Sequence, residues 1–278
     1  MAIDLMLRST AAAVFFPSPV GVWRTMRGII GLSVLLLIGG LWPSTAPAQD
    51  AGATQALTGD SVLVFSKTNG YRHRAIPDGH EAFRELGAEY GFSVESTEDS
   101  TVFRRERLAA YDVVVFLNTS GDFLGAEGQE AFREYIRDGG AYVGVHSASA
   151  GEYDWDWYGR LVGAFFDAHP EIQEATVRVE DSTHVSTRML PAEWVREDEW
   201  YNFRSNPRDA VQVLLTLDES TFEGGTMGED HPIAWHHTFE GGRAWYTALG
   251  HTTASYESPL FRQHLLGGLR WAAFSPPD

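Results

Sequence analysis

Cysteine is absent from all 278 residues. That excludes thiolate nucleophiles, cysteine-ligated zinc, iron–sulfur clusters and disulfides together. Positive charge is scarce: 21 Lys and Arg face 38 Asp and Glu, a formal charge of −17. Such a surface repels phosphate backbones, so nucleic acid is excluded as a general partner. No G-x-G-x-x-G or Walker loop occurs, which leaves nucleotide binding without support. There is no internal repeat. What is abundant is apolar and aromatic: 44% of residues are hydrophobic, with 9 Trp, 10 Tyr and 16 Phe. This suffices for one large core and is foreign to disordered or collagen-like chains.

One long apolar run stands near the N-terminus. Ile29–Trp42 (IIGLSVLLLIGGLW) follows Arg24 and Arg27 and precedes Ala46-Pro47-Ala48. A basic start, an apolar stretch and small residues ahead of a cut describe a secretory signal peptide, cleaved after Ala48. The run is about 14 residues, short of the roughly 20 of a membrane span. A start at Met26 would leave residues 1–25 as an over-extended beginning; an uncleaved N-terminal anchor is the other reading. The expected organisation is residues 1–48 signal peptide, 49–60 flexible polar leader and 61–274 one domain. It would be exported to the periplasm or cell exterior, with no stable membrane insertion after cleavage.

From residue 61 onward, strand and helix patterns alternate. Ser61–Ser66, Asp112–Leu117 and Ala141–Val145 are short continuous apolar runs, the pattern of strands buried on both faces. Phe92–Ser96 reads as a further strand. Asp78–Tyr90, Arg104–Ala110 and Gly125–Asp138 read as helices, the last with Phe132, Tyr135 and Ile136 inward and Gly139-Gly140 as its stop. Strands separated by helices pair in parallel through right-handed crossovers. The sequence therefore predicts an α/β fold with a doubly wound, mostly parallel sheet. Glu174–Glu180 and Val211–Leu217 alternate like strands. Ile233–His237 and Arg243–Leu249 flank Glu240-Gly241-Gly242 as an additional β-hairpin region, and Pro259–Ala273 reads as a closing helix. Ligands of such sheets sit at the carboxyl ends of the strands, which singles out the loops Lys67–Pro77, Asn118–Leu124 and His146–Asp156.

In the third of these loops, Gly144-Val145-His146-Ser147-Ala148 places His146 between a buried strand and a helix. A residue there is presented on a sharp turn, the geometry of a nucleophile elbow. The position holds an imidazole, suited to proton transfer or metal ligation and not to ordinary acyl transfer. A serine hydrolase centred on Ser147 is disfavoured, because both glycines of G-x-S-x-G are missing around it. His251 follows Gly250 at the end of a strand, and Glu199 lies in the aromatic stretch Asp198-Glu199-Trp200-Tyr201. A His/His/Glu set with open positions is what a catalytic divalent metal requires. No signature such as H-E-x-x-H supports it, so each of these side chains also reads as structural. Most of the aromatics among Tyr153, Trp155, Trp157, Tyr158, Trp200, Tyr201, Trp245 and Tyr256 read as core. A few beside acidic and histidine groups would suit the CH face of a sugar ring. Gly224–Gly228 reads equally as a lid or as an exposed hairpin loop.

Taken together, LVFSKTNGYRHRAIP (63–77), GGAYVGVHSAS (139–149), YDWDWYGRLVGAFFDAHP (153–170), DEWYNFRSNPR (198–208), MGEDHPIAWHH (227–237) and GGRAWYTALGHT (241–252) resemble the ThuA-like (trehalose-utilisation) family. That family is a branch of the class I glutamine-amidotransferase-like fold, and the resemblance runs from about Val62 to Ala273. It implies a flavodoxin-like core whose amidotransferase elbow lacks its cysteine. His146 occupies that position and His251 looks like the partner histidine, so glutaminase activity is not expected. The resemblance also implies a role in sugar metabolism, notably disaccharide oxidation at C3 and 3-keto-sugars, beside sugar dehydrogenases.

Two functions of different class follow. The first is an exported enzyme acting on a sugar or 3-keto-sugar by acid–base chemistry, isomerase- or lyase-like. His146, His251 and Glu199 would be its catalytic and metal-ligating residues, with zinc the first choice among divalent cations. Tyr71, His73, Trp155, His169 and Tyr201 would contact the substrate. The second is a non-catalytic carbohydrate-binding or accessory module for a partner sugar dehydrogenase. The two part on whether both imidazoles and the carboxylate converge within reach of one ion, whose ligand distances are about 2 Å.

Overall fold

The structure, a computed structural model, describes residues 57–273. The signal-peptide reading and most of the leader lie outside these residues. Leu57 and Gly59, expected in the leader, already belong to the fold. Leu57 is buried in the core, and the Gly59 N–H donates to the Gly91 carbonyl at 2.9 Å.

Along the chain the elements are β1 (Ser61–Phe65), α1 (Ile76–Tyr90), β2 (Ser93–Thr97), α2 (Arg105–Leu108), β3 (Val113–Leu117), α3 (Ala126–Arg137) and β4 (Ala141–Val145). They continue with α4 (Asp156–Val162), β5 (Phe166–Ala168), β6 (Gln173–Val179), β7 (Glu193–Asp198), β8 (Asn202–Phe203) and β9 (Gln212–Leu217). The last are β10 (Pro232–Phe239), β11 (Gly242–Thr247), α5 (Thr253–Glu257) and α6 (Pro259–Ala273).

The main sheet runs β2-β1-β3-β4-β11-β10-β9-β6-β7. Its first five strands are parallel and the rest antiparallel. The mostly parallel, flavodoxin-like sheet is thus extended by antiparallel strands well beyond a single hairpin. The β10–β11 turn is the two-residue Glu240-Gly241, both at positive φ (48° and 100°), the geometry whose twist matches that of the flanking strands. Every residue of β3 and β4 is buried, as a strand covered on both faces requires.

The connection from β1 runs one way along the sheet to β2, whereas those into β3 and β4 run the other. Right-handed crossovers then put α1 on one face and α2 and α3 on the opposite face. The crevice at the carboxyl ends of β1 and β3 is the switch point. There the following loops are stitched together by isolated bridges, Thr68 to Ser120 and Gly121 to Gly151.

The core also stores neutral histidines. Burial pushes His184 down to about 3, and His236 and His264 down to about 4. His184 and His236 stack at 4.6 Å, and the fully buried His264 bonds through Nδ1 to the Ser186 carbonyl at 2.8 Å. An unfolded chain protonates its histidines near pH 6.5, so between pH ~6.5 and ~4 the unfolded state binds more protons. The stability held by these rings is fully present above ~6.5 and is lost as pH falls toward ~4, by an amount on the order of several kcal/mol. Urea titrations at pH 7, 6 and 5 are expected to show a midpoint that drops with each step. A flat midpoint would contradict the assignment of these rings, one buried and two half-buried, as neutral.

Candidate metal centre

Loops from four different strands meet at the carboxyl edge of the sheet. His73 comes from the loop after β1, His146 directly follows β4, Glu199 directly follows β7, and His251 lies beyond β11. His146 is held at φ 51°, a left-handed conformation that side chains seldom adopt. The sharp turn is pinned by the Tyr246 hydroxyl, which donates to the His146 carbonyl at 2.8 Å. Two positions before it, a side chain on Gly144 would run into Tyr142 and Tyr246, so glycine is required by close packing.

The four side chains each offer one ligand atom, all within 4.8 Å of one another. The tightest part is a triangle. His146 Nε2 lies 3.3 Å from Glu199 Oε2, His251 Nδ1 lies 3.0 Å from the same oxygen, and the two nitrogens are 3.2 Å apart. Zinc–ligand distances near 2.1 Å make the edge of a zinc tetrahedron roughly 3.4 Å, so the triangle is close to a coordination face. His146 Nδ1 lies 2.6 Å from the Ala248 carbonyl, which can only accept. The proton therefore sits on Nδ1 and the Nε2 lone pair faces the triangle, the usual second contact of a metal-ligating histidine. The donor set of three imidazoles and one carboxylate suits zinc and its borderline neighbours.

The electrostatics agree. Burial lowers His73 to about 2, helped by repulsion from His146 and His251, so its ring is neutral and able to ligate at physiological pH. Burial alone would raise Glu199, but its contacts with the His146 and His251 imidazoles outweigh it and hold the carboxyl well below the usual range. Beside Glu199, the fully buried Asp198 organises the backbone. Its Oδ1 accepts from the N–H groups of Glu199 and His251, both at 3.1 Å, and its Oδ2 from the Gly250 N–H at 3.0 Å and Arg196 at 2.8 Å.

The centre opens into a cavity of about 520 Å³. Of the residues selected from sequence, the structure brings His146, His251 and Glu199 together and adds His73, selected as a substrate contact, to the cluster. Tyr71, His169 and Tyr201 line the cavity. Tyr201 packs on the His146 ring at 4.2 Å, and His169 Nδ1 lies 3.2 Å from Glu199 Oε1. Trp155 is a correction: it does not line this cavity. Its ring is taken up by the aromatic stack with Trp157 (5.0 Å) and Tyr158 (5.8 Å), and it borders a separate pocket with Glu152 and Asp122. The Gly224–Gly228 loop is tied down, with Gly224 and Thr226 bonded to Asn202 and with Met227 and Gly228 to Glu219. The roles of His73 and Asp198 were missed. Asp198 adjoins Glu199, but its backbone partners at 250 and 251 are invisible until the fold joins β7 to the end of β11.

Residues 61–272 match the family model ThuA, described as trehalose utilisation. A crystal structure described as that of a thua-like protein from Bacteroides uniformis is 26% identical, with TM-score 0.67, and covers 79% of this chain and 94% of its own. One from Parabacteroides merdae, also described as thua-like, is 21% identical, with TM-score 0.65 and coverages of 78% and 90%. A cytoplasmic protein of Salmonella typhimurium, 12% identical with TM-score 0.54 over 76% of this chain and 98% of that one, shares the fold. No curated protein matches the chain.

Proposed function

The chain belongs to the ThuA, trehalose-utilisation, family, and from that premise we propose that it is an exported, metal-dependent enzyme acting on a sugar or 3-keto-sugar. The observation that supports this most is the His146–His251–Glu199 triangle, with the His146 lone pair directed into it by the Ala248 carbonyl. His73, His146, His251 and Glu199 would hold the cation. A divalent ion there supplies a Lewis acid that polarises a sugar carbonyl or hydroxyl.

The remaining chemistry belongs to side chains. His169 Nδ1 lies 2.9 Å from the Pro170 carbonyl and 3.2 Å from Glu199 Oε1, both acceptors, so that nitrogen holds a proton. That leaves Nε2 to take or return a proton next to a carbonyl carbon. Tyr201, packed against His146, and Tyr153 offer aromatic faces to the ring of the substrate. Isomerisation, or elimination of the glycosidic group, is the reaction class that such a proton transfer serves.

The test is elemental analysis of the purified protein together with turnover of 3-keto-glycosides before and after chelation. Stoichiometric metal, and turnover lost on chelation and restored by zinc, is the expected result. Sugar affinity that survives chelation, with no turnover, would replace this reading with a carbohydrate-binding module.

A further inference from the structure

We infer that the cavity carries a second subsite built for an apolar ring, so that the ligand is a glycoside with an aromatic or other apolar aglycone and not a disaccharide. This rests on the carbohydrate reading above and adds a substrate class to it.

Size is the first observation. A cavity of about 520 Å³ exceeds what one pyranose ring fills, and a ligand pocket buries most of its ligand. A second group beyond the sugar at the metal centre is therefore accommodated.

The character of the mouth is the second. Four large hydrophobic side chains are exposed among the described residues, and two of them, Tyr71 (64%) and Ile172 (43%), border this one cavity. Single exposed apolar residues are ordinary, but a pair at the mouth of a concave site marks a contact surface. Phe166 and Pro170 continue the apolar wall between the mouth and the buried Tyr201.

The third is the supply of hydrogen-bonding partners. Ser120 Oγ donates to the Tyr71 carbonyl at 2.7 Å and the Tyr153 hydroxyl to the Phe166 carbonyl at 3.4 Å, while Ser147 Oγ rests 3.3 Å from His73 Nδ1. The Ser120 and Tyr153 hydroxyls already spend their protons within the protein and can only accept from a ligand, and the carboxylate at the wall, Glu171, is an acceptor exposed to water. A second sugar entering here would lose water from its hydroxyls and find few replacements, which is costly. An apolar ring has no such loss and gains by burial.

The subsite is also rigid. The Tyr71 carbonyl is held by Ser120, its ring sits edge-on to His73 at 4.8 Å, and the adjoining Arg72 pairs with Glu98. Next to Ile172, the Gln173 amide bonds the carbonyls of Glu171 and Glu223, both at 3.0 Å. Little side-chain or loop ordering then remains to oppose binding.

The experiment is calorimetric titration of the zinc-loaded protein with three probes: methyl 3-keto-β-glucoside, phenyl 3-keto-β-glucoside and 3-keto-trehalose. The phenyl compound is expected to bind at least about tenfold more tightly than the methyl compound, and the disaccharide no better than the methyl compound. Ile172→Ser, at an exposed position away from the metal ligands, is expected to cut the phenyl advantage several-fold and leave the methyl affinity unchanged. Equal affinity for phenyl and methyl compounds, tightest binding of the disaccharide, or equal losses for both glucosides in Ile172→Ser would each overturn the subsite while the carbohydrate reading stands. If none of the three probes binds, both fall.

Discussion

Glu199→Gln is expected to lower zinc affinity by more than about 100-fold and to abolish turnover, with the far-ultraviolet circular dichroism of the metal-free protein unchanged. The reason lies in what the carboxylate alone supplies. Of the four converging groups it is the one anion, and the three imidazoles must bind as neutral rings. Its Oε2 is shared between His146 at 3.3 Å and His251 at 3.0 Å, two sides of the tightest triangle in the cluster. The glutamine amide keeps the shape but loses the charge. Either flip also places an NH₂ group toward the imidazoles or toward His169. Disturbing a contact one layer out from a metal costs roughly 10–100-fold in affinity, and loss of the ligand itself is expected to exceed that. Competition against a chromogenic chelator measures it. A Glu199→Gln protein that holds zinc as tightly as the parent would remove the centre from consideration.

The architecture was legible because its strongest signals are local. The continuous apolar runs that became β1, β3 and β4 had no other reading than strands covered on both sides, and the Glu240-Gly241 turn announced its own hairpin. The unread elements are those whose pattern is set by neighbours. β7 alternates exposed Glu193, Val195 and Glu197 with buried Trp194 and Asp198, because it is the edge of the sheet and one face meets water. The short α4 was given no element of its own because Trp157, Tyr158, Leu161 and Val162 look like any aromatic-rich stretch until they pack beside His146–Ser149.

The site divides in the same way. His146 could be singled out because a strand-to-helix turn presents whatever stands there, and its φ of 51° is that turn. His73 lies in a loop whose path only the bridge to Ser120 determines, so its place in the cluster could not be read from spacing. Trp155 shows the reverse error. An aromatic near acidic residues in sequence suggested a sugar contact, but stacking with Trp157 and Tyr158 buries it in a different part of the core.

Asp198→Asn is expected to damage both the fold and the metal site, and the two effects can be separated. The carboxylate is fully buried and accepts from the backbone N–H of Glu199, Gly250 and His251, from Ser255 Oγ and from Arg196. An amide must turn its NH₂ toward one set of these donors in either orientation. Arg196 fares worst. Its side chain is itself almost wholly buried, its Nε and Nη1 have no hydrogen-bond partner among the described residues, and its other supports are a bond from Nη2 to Ser255 Oγ at 2.7 Å and packing on Trp194 and Phe261. Breaking one side of a buried ion pair typically costs about 3–5 kcal/mol, which a urea titration of the metal-free protein reads directly. Replacing Arg196 by Met as well removes the stranded charge, and the double variant is expected to regain much of that stability. It should not regain zinc. Gly250 sits at φ 112°, where few residues other than glycine rest, and Asp198 is the acceptor that ties this turn and the His251 backbone to Glu199. With that tie lost, zinc affinity is expected to stay about 10–100-fold below the parent in the double variant. Recovery of both properties together would mean that Asp198 serves the core alone and that the ligands find their positions without it.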